Sequence, residues 1–475
     1  MANDKYEVVI GLEVHAELKT QSKVFCSCAN KFGNIPNTNC CPVCIGLPGA
    51  LPIINKKAVE YTIKAGLCMN CEINDIAVFE RKNYFYPDLS KAYQISQLVK
   101  PICVGGGVWI QNHTKFIRLD RIHLEEDAGK LIHKNEQVGT LIDYNRGGVP
   151  LIEMVSMPDI RSSEEAIEFL NALRNNLIYA NLADCKMEQG GMRCDVNVSV
   201  RPFGQKEYGT RCEMKNLNSF RSVARAIEYE SNRQIELVES GQKVIQETRR
   251  WDDDKGKSFT MRSKENSSDY RYFPDPDILA IKLDRELVER CKKDIPELPQ
   301  DRKMKYINEY NLSKYDANQL VADKVVSDFF ENVLKQYNKP KEVANWIMTE
   351  VLKYVEQENG EIKLLIEPTD FACILKMYEA QKIGQKNAKR LIEICANGNS
   401  DAEKIAKENN MLNDITIEDI EKIIDDVLLN NQKAKEDYKT NPDKVLTFFV
   451  GQVMRATKGK ASPDQVKEIV VKKMA

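Results

Sequence analysis

The sequence predicts an α+β protein in which a sheet-based domain at residues 1–294 precedes a helical domain and a small helical tail. Three observations favour this class. Short segments of alternating polar and apolar residues recur in the first part of the chain, two long helical patterns interrupt them, and the pattern beyond about residue 295 is almost wholly helical. A chain of 475 residues is also too long for one compact core, which favours two or three domains.

The clearest strand pattern lies at Tyr6–Lys19. Its apolar residues alternate with a second face that carries Glu13, His15 and Glu17. Because successive side chains of a strand point to opposite faces, these three polar side chains are expected side by side. The first strand therefore presents two carboxylates and an imidazole on one face of a sheet.

Two later segments repeat the period of two. In the strand predicted at 195–201, polar side chains at every second position oppose three valines. In the strand predicted at 211–215, one face carries Arg211, Glu213 and Lys215. Both segments are expected to belong to the sheet of the first domain.

Two helices are predicted among these strands. Ser162 and Glu165 form a capping box, and apolar residues follow it at helical spacing. A second helix is expected from about Phe220 to Ser240. It should end at Gly241, because glycine readily adopts the left-handed backbone that closes a helix.

The helical part of the chain follows a turn-rich hinge at Ile295–Pro299, and a second break lies at Ala396–Ser400. These two breaks predict a helical domain at 295–400 and a helical tail at 401–475. Long helical patterns with short connections are typical of packed helical modules.

Charge is distributed unevenly in the tail. The whole chain has a net charge of −2, so a polyanion must meet a local basic patch and not a global field. From Gly451 onwards basic residues outnumber acidic ones, and they include Arg455, Lys458 and Lys460. Such a stretch is usually a solvated helix face, but it is also the best candidate in this chain for a contact with a polyanion.

The chain has no recognisable membrane or secretory segment. No run approaches the roughly 18 apolar residues of a membrane helix. The N-terminus lacks the basic flank and apolar stretch of a signal peptide. We therefore expect a cytoplasmic protein that does not bind membranes.

Five of the fourteen cysteines lie between Cys26 and Cys44. The pattern CxC, twelve residues and CxxC is typical of a closed structural zinc site, here with Cys26, Cys28, Cys41 and Cys44 as ligands. Buried free thiols are the plainer alternative, but clustered cysteines in a cytosolic chain favour metal. Cys40 could replace its neighbour Cys41, although the CxxC turn favours Cys41.

Acidic residues recur in strings of the first domain that also contain basic, apolar or glycine residues. The strings lie around Glu13 and His15, Glu125, Glu153 and Asp195. Any one of these strings, taken singly, would be interpreted as the end of a strand with salt bridges. Together they offer several carboxylates and one of only four histidines, a ligand set that suits Mg²⁺ or Mn²⁺ holding phosphates better than it suits zinc.

Familiar nucleotide-binding and amidase signatures are missing. There is no GxxxxGK[ST] loop, because Trp251 stands where the segment Gly256–Ser258 would need an upstream glycine. No serine–serine–lysine amidase pattern occurs either, since Ser267–Ser268 lacks glycine-rich surroundings. If the protein uses ammonia from an amide, a second polypeptide must release it.

In chain order, these strings resemble the GatB subunit family of the aspartyl/glutamyl-tRNA amidotransferases. The matching stretches span nearly the whole chain and include VIGLEVHAELKT, NTNCCPVCIGLPGALP, DYNRGGVPLIEMVSMPDIRS, KMEQGGMRCDVNVSVRP, DYRYFPDPD and FFVGQVMRATKGKASP. A length of 475 residues leaves no room for the inserted domain of the archaeal-type relative. The three-subunit type, GatCAB, is therefore the closer match.

The resemblance implies a cradle domain of kinase-like architecture, a helical domain and a YqeY-like helical tail that holds tRNA. It also implies that ATP and Mg²⁺ serve to phosphorylate the side-chain carboxylate of Glu or Asp on mischarged tRNA(Gln) or tRNA(Asn). Ammonia then displaces phosphate and gives the amide. Glutamine hydrolysis in an amidase (glutaminase) partner supplies the ammonia, and a small third polypeptide joins that amidase to the GatB protein.

The resemblance and the shared strand faces together assign the expected site residues. The expected Mg²⁺ ligands and catalytic residues are Glu13, His15, Glu125, Glu153 and Asp195. Strand parity with His123 favours Glu125 over Glu126 as the ligand.

Lys82, Tyr84 and Lys215 are the candidates to meet the phosphates of ATP, and an ordinary surface or ion-pair role is nearly as well supported for the two lysines. Zinc-bearing members of the family match the four cysteines. Some members lack them, which implies that zinc braces a loop and takes no part in the reaction.

A rival hypothesis is a zinc-stabilised scaffold that binds tRNA while a partner performs all the chemistry. The carboxylate–histidine face argues against this rival. A protein that binds a polyanion gains nothing from concentrated negative charge.

Overall fold

The computed structural model describes residues 5–133, 139–263, 270–358, 361–413, 417–437, 442–457, 461 and 463–474. The chain divides into two compact units, Met1–Pro299 and Gln300–Ala475. Unit 1 mixes strands and helices, and unit 2 is mainly helical. The predicted α+β class is confirmed.

Unit 1 contains seventeen of the described strands and four of the described α-helices. The strands are β1 (Tyr6–Glu17), β2 (Glu72–Ile73), β3 (Ile76–Ala77), β4 (Glu80–Asn83), β5 (Tyr93–Ser96), β6 (Cys103–Val104), β7 (Gly107–Ile110), β8 (Lys115–Glu126), β9 (Lys130–His133), β10 (Thr140–Asp143), β11 (Pro150–Ser156), β12 (Met192–Pro202), β13 (Cys212–Leu217), β14 (Glu247–Asp252), β15 (Lys257–Ser263), β16 (Phe273–Pro274) and β17 (Ile281–Lys282). The helices are α1 (Lys56–Cys68), α2 (Ser163–Tyr179), α3 (Phe220–Glu239) and α4 (Arg285–Lys293).

One large sheet dominates unit 1. Its order is β15-β14-β13-β12-β1-β11-β8-β6-β2, and β7 also pairs with β8. β1 is the central strand, with β12 on one side and β11 on the other. β13 and β14 run parallel, and the other described neighbours in this sheet run antiparallel.

The apolar face of the sheet forms the core of unit 1. Ile10, Leu12 and Val14 of β1 are at most 1% exposed, and they share one hydrophobic cluster with Leu170 of α2 and Val223 of α3. Each such buried side chain contributes roughly 1.5–3 kcal/mol. The helices thus cover one face of the sheet, and the polar face of β1 remains for the site.

Local sequence explains where the two long helices begin and end. The Ser162 hydroxyl accepts a hydrogen bond from the Glu165 backbone N–H and caps α2. Glu165 differs from the usual capping box because its carboxylate accepts from the Arg161 N–H, one residue earlier than expected. α3 ends where predicted, and Gly241 has a φ of +76°, the left-handed conformation expected after a helix.

Unit 2 contains the remaining described helices and one hairpin. The helices are α5 (Pro299–Asn308), α6 (Lys314–Val321), α7 (Lys324–Leu334), α8 (Pro340–Thr349), α9 (Pro368–Glu379), α10 (Gln385–Ala396), α11 (Ala402–Glu408), α12 (Ile417–Asn430), α13 (Gln432–Asp437), α14 (Pro442–Ala456) and α15 (Pro463–Met474). The hairpin strands are β18 (Val355–Glu358) and β19 (Glu361–Leu364).

The hairpin corrects the expectation of a wholly helical segment. Ile362 and Leu364 alternate with charged residues, which is a strand pattern, but a run this short cannot be separated from a helix by periodicity alone. Leu364 packs against the hydrophobic cluster of the surrounding helices. Formation of the hairpin therefore depends on packing against these helices, which the local sequence pattern does not show.

Unit 2 has two hydrophobic clusters. The first runs from Tyr306 to Met411 and includes Ala402 and Ile405 of α11. The second begins at Ile420 and contains residues of α12, α14 and α15. No helix in the described part of the chain is both long enough and apolar enough to cross a membrane.

Candidate active site and metal centre

The polar face of four neighbouring strands, β8, β11, β1 and β12, carries the five predicted Mg²⁺ ligands. His15 of β1 lies opposite Glu153 of β11, and Glu153 lies opposite His123 of β8. Glu13 of β1 lies opposite Asp195 of β12. Side chains directly opposite on neighbouring antiparallel strands have Cβ atoms about 4.5–5.5 Å apart, so residues distant in sequence meet on one face.

These side chains form two neighbouring groups. The first group contains His15, Glu125 and Glu153, and the second contains Glu13, Asp195 and Glu213. Within each group, one ligand atom per residue lies within 4.8 Å of the others. The five predicted ligands are therefore divided between two groups, and Glu213 joins the second.

Histidines surround Glu153 in the first group. Its Oε2 atom lies 3.5 Å from His15 Nε2 and 3.3 Å from His123 Nε2. Burial alone would lower the pKa of His123, but the Glu153 carboxylate outweighs this effect and the pKa rises to about 9. Burial would likewise raise the pKa of Glu153, but His123 and His15 hold it well below its usual range. Both shifts favour an ionised Glu153 beside a protonated His123.

A lysine neutralises part of the second group. Lys215 Nζ forms an ion pair with Asp195 and lies 3.2 Å from Glu213 Oε1. Asn197 Nδ2 donates a 2.9 Å hydrogen bond to Glu13 Oε1. Burial raises the pKa of Glu13, and repulsion from the neighbouring carboxylates adds to the shift. A further cation would reduce the repulsion among the carboxylates of this group.

A cavity of about 710 Å³ opens over both groups. The residues around it include six carboxylates, five lysines or arginines and two histidines. Lys82, Tyr84 and Lys215, the candidates to contact phosphate, all line it. A volume of this size with converging charged groups is typical of a ligand-binding pocket.

Lys82 is held against aromatic rings at the wall of the cavity. Its Nζ atom lies 5.0 Å from the centre of the Tyr270 ring and 5.8 Å from that of Tyr84. Burial would lower the pKa of Lys82, but the Glu125 carboxylate outweighs burial and the pKa is raised. The side chain is therefore an ammonium ion that faces the carboxylates.

The neighbours Glu125 and Glu126 have different surroundings. Glu125 lines the cavity. Glu126 is paired with Lys91, whose Nζ atom lies 2.6 Å from Oε2, and its Oε1 atom accepts a 3.0 Å hydrogen bond from the Ile95 N–H. Of the two, Glu125 is the one available to a ligand in the cavity.

Two residues of these groups and the cavity, His123 and Glu213, were not predicted from the sequence to be functional. His123 entered only as a marker of strand parity, and Glu213 only as a member of a strand face. Both could have been found from period two, because His123 shares a face with Glu125, and Glu213 shares one with Lys215.

A third set of charges adjoins the first group. Arg193 forms an ion pair with Asp127, and Arg146 Nε lies 3.6 Å from the same carboxylate. Burial and the nearby Asp127 raise the pKa of Glu17 to about 8. Asp127 and Arg193 line the cavity, so these charges form part of its wall.

The four predicted zinc ligands converge. The Sγ atoms of Cys26, Cys28, Cys41 and Cys44 all lie within 4.8 Å of one another. The Cys26–Cys44 and Cys41–Cys44 sulfur distances are 3.6 and 3.7 Å. Four sulfurs about 2.3 Å from a tetrahedral zinc ion stand about 3.8 Å apart, so the cluster could hold zinc. Cys40 Sγ lies instead 3.7 Å from an oxygen of Asn145.

Even without a metal ion, the surroundings of the cysteine cluster favour the thiolate form of one cysteine, Cys44. The pKa of Cys44 is lowered to about 4, mainly because its sulfur accepts a hydrogen bond from the Cys26 thiol. The same bond raises the pKa of Cys26. Nearby Lys23 also lowers the pKa of Cys44, and thiolate is the form that binds zinc.

The basic residues predicted to contact tRNA lie at the end of α14 and just beyond it. Arg455 is in the last turn of α14 and is exposed. Lys458 and Lys460 lie outside the described residues. A cation in the last turn also interacts favourably with the helix dipole.

Two family models match the chain. One, described as the GatB/GatE catalytic domain, matches residues 8–289. The other, described as the GatB domain, matches residues 328–474. The chain belongs to the GatB family. The resemblance inferred from the sequence strings is thereby confirmed.

Curated GatB-family relatives match over almost the full chain. The B subunit of the aspartyl/glutamyl-tRNA(Asn/Gln) amidotransferase of Caldicellulosiruptor bescii is 50% identical over 472 residues, which cover 98% of each chain. The proteins of the same name from Lachnoclostridium phytofermentans and Carboxydothermus hydrogenoformans are 48% and 46% identical, over 98% and 99% of this chain. GatB-family proteins are subunits of a glutamine-dependent carbon–nitrogen ligase, so the prediction of an enzyme subunit is confirmed.

Proposed function

We propose that this chain amidates Glu on tRNA(Gln), Asp on tRNA(Asn), or both. Its cradle acts as a kinase-like domain that phosphorylates the side-chain carboxylate, and ammonia displaces the phosphate. The observation that carries the proposal is the cavity in which His15 and five carboxylates of the two groups adjoin Lys82 and Lys215. A carboxylate is a poor acylating agent, and its conversion to an acyl phosphate supplies a leaving group.

The proposed Mg²⁺ ligands are the five predicted residues, with Glu213 added. Carboxylate oxygens suit a hard cation, and the ion pairs of Lys215 indicate that these carboxylates attract positive charge. His15 would bind Mg²⁺ as the neutral imidazole, so the ion would displace the proton that Glu153 favours on the free ring. Bound Mg²⁺ would neutralise charge on the phosphate oxygens of ATP. Within each of the two groups the donor atoms lie within 4.8 Å of one another, a spacing that fits one such ion per group.

Two cationic side chains of this protein, Lys82 and Lys215, are proposed to act beside the Mg²⁺ site. Phosphoryl transfer needs positioning and neutralisation of charge more than covalent help from the protein. Lys82 and Lys215 are ammonium ions at the cavity wall and are proposed to bind phosphate oxygens. Tyr84, whose ring lies near Lys82 Nζ, is proposed to orient that lysine and the nucleotide.

The partners and the remaining modules complete the proposal. A separate amidase polypeptide releases ammonia, in keeping with the missing amidase pattern in this sequence, and a small third polypeptide joins the amidase to this chain. The tail with Arg455, Lys458 and Lys460 holds the tRNA. The cysteine cluster holds a structural zinc ion that braces the loop.

The test uses the complex of this chain with its amidase and small partners, supplied with glutamine, ATP and Glu-tRNA(Gln) or Asp-tRNA(Asn). His15→Ala or Glu13→Ala should lower amidation by about 100-fold or more, because each removes a proposed ligand of the Mg²⁺ that would neutralise charge on the phosphate oxygens. Glutamine hydrolysis by the amidase should persist. His133→Ala is the matched control, since His133 is exposed and lies outside the cavity.

Free ammonia separates the catalytic proposal from the scaffold alternative. This chain with the small partner alone, given ammonium, ATP and charged tRNA, should form the amide without a working amidase. Failure of that reaction while the complete complex works would favour the scaffold. If both variants amidate charged tRNA at the wild-type rate, the proposed role of His15 and Glu13 is refuted.

A further inference from the structure

Lys23 is a fully buried lysine with no carboxylate partner among the described residues. Its relative exposure is 0%, and no carboxylate oxygen in the described part of the chain lies within salt-bridge distance of Nζ. Lysine is almost never fully buried unless it is paired, because removing an ammonium ion from water is costly. The contacts of Nζ should therefore reveal the source of its counter-charge.

Those contacts lie at the cysteine cluster and at one turn. Nζ lies 3.4 Å from Cys44 Sγ, and it donates to the backbone oxygens of Gly147 at 2.7 Å and Tyr144 at 3.2 Å. Four thiolates around one divalent ion leave surplus negative charge on the sulfurs. An ammonium ion against one of those sulfurs would offset that charge where water is excluded.

The backbone around Lys23 is held on both sides. The Lys23 N–H bonds to the oxygen of Cys28 at 3.0 Å, and the Val24 N–H bonds to the oxygen of Gly148 at 2.9 Å. Gly148 has a φ of +83°, and a Cβ atom there would lie 3.5 Å from Cδ of Lys23. The stem and the ammonium ion therefore have a defined position between the cysteines and the turn.

The same turn supports the wall of the active-site cavity. The Gly148 N–H bonds to the backbone oxygen of Asp127 at 2.9 Å, and Arg146 Nε donates to the oxygen of Ala128 at 3.0 Å. Asp127 and Ala128 both line the cavity. A continuous set of contacts thus runs from Cys44 through Lys23 and the turn at 144–149 to the cavity wall.

We propose that Lys23 is a positioning residue that supplies the counter-charge of the zinc–cysteine centre and couples that centre to the cavity wall through the turn at 144–149. The inference rests on the proposed zinc occupancy. Metal binding strengthens the contact between the ammonium ion and the sulfur, so the turn and the Asp127 segment are held more firmly when zinc is present.

The counter-charge is tested with the full chain loaded with Co²⁺ in place of zinc. Lys23→Met, which keeps most of the stem and removes the charge, should release the metal to a chelator about 10- to 100-fold faster than wild type. Its thiolate-to-cobalt absorption band should move to longer wavelength, because the sulfur no longer accepts a hydrogen bond from the ammonium ion. Lys31→Met is the matched control, an exposed lysine of the same loop. A wild-type release rate and spectrum in Lys23→Met would overturn the counter-charge role.

The coupling is tested without any variant. Removing the metal from the wild-type protein should speed amide hydrogen exchange in residues 144–149, including the Gly148 N–H that bonds to Asp127. Exchange in α15, which belongs to unit 2, should not change. Unaltered exchange at 144–149 would overturn the coupling. A wild-type protein that binds neither zinc nor Co²⁺ at these cysteines would overturn the zinc proposal and this inference together, while the amidation test stands apart.

Discussion

At the scale of single residues, the site depends on charges that are buried and paired. Glu153 lies between two histidines, with His123 only 3% exposed. Breaking a buried ion pair by removing one partner is strongly destabilising, because the other charge remains in the protein interior. His123 is therefore expected to serve stability as well as the geometry of the carboxylates.

His123→Leu should lower the free energy of unfolding by roughly 3 kcal/mol in Mg²⁺-free buffer. The raised pKa of His123, about 9, gives stability that is complete below pH 6.5 and lost as the pH rises through 9. The lowered pKa of Glu153 gives stability present above pH 4.5 and lost on acidification. The deficit of the variant should thus be largest between about pH 4.5 and 6.5. Urea denaturation across pH measures it.

Added Mg²⁺ should restore part of that loss, because the cation replaces the missing positive charge beside Glu153. His133→Leu is the control for replacing a histidine, since His133 is exposed on β9. A deficit independent of both pH and Mg²⁺ would mean that His123 contributes packing and not charge.

At the scale of elements, the loop with the four cysteines depends on its ligand cluster for structure. The described residues from 31 to 50 contain no regular helix or strand. Several of its large apolar side chains are exposed, among them Phe32 at 70% and Ile35 at 75%. With so little apolar burial, metal binding is expected to supply much of the loop's order.

Removal of the metal should therefore expose Cys26, Cys28, Cys41 and Cys44 to alkylation. With metal bound these thiolates are protected, and after chelation they should react with iodoacetamide at pH 8. Buried Cys185 should not react in either state, because burial raises its pKa to about 12 and little thiolate forms. Peptide mass mapping measures each site. Equal labelling of the four cysteines before and after chelation would contradict a metal centre.

At the scale of the whole molecule, the two clusters of unit 2 indicate where the chain can be divided. α11 packs in the first cluster, which extends to Met411. A cut near residue 396 would remove part of that core, whereas a cut after Asn413 leaves it complete. The second cluster, from Ile420 onwards, would be removed as a whole.

A chain that ends at Asn413 should keep unit 1 and the first helical cluster folded but bind tRNA more weakly. In the full chain, Arg455→Glu, Lys458→Glu and Lys460→Glu together should raise KM for charged tRNA and leave kcat nearly unchanged. The salt dependence of binding should also become less steep, by about 0.7–0.9 for each phosphate that the protein no longer neutralises. Filter binding across salt concentrations measures both effects.

Lys404→Glu with Lys407→Glu is the control for a general change of charge, because both lysines are exposed on α11. Unchanged tRNA affinity after truncation at Asn413 would refute the role of the tail. Equal losses in the control would indicate a general electrostatic effect and no specific contact.

Much of this protein could be predicted from local sequence. The alternation of β1, the cap at Ser162 and the end of α3 at Gly241 are properties of a few neighbouring residues, so the pattern alone was sufficient. The cysteine spacing predicted a cluster that the fold brings together. The sequence strings predicted the family, which the comparisons confirmed.

Tertiary structure alone decided which polar residues meet. Period two shows that Glu13 and His15 share a face, but not that His15 faces Glu153 while Glu13 faces Asp195. That register depends on how the apolar faces of strands more than a hundred residues apart pack under the helices. The division of the expected ligands into two groups, and the link from Cys44 through Lys23 to the cavity wall, follow from that packing.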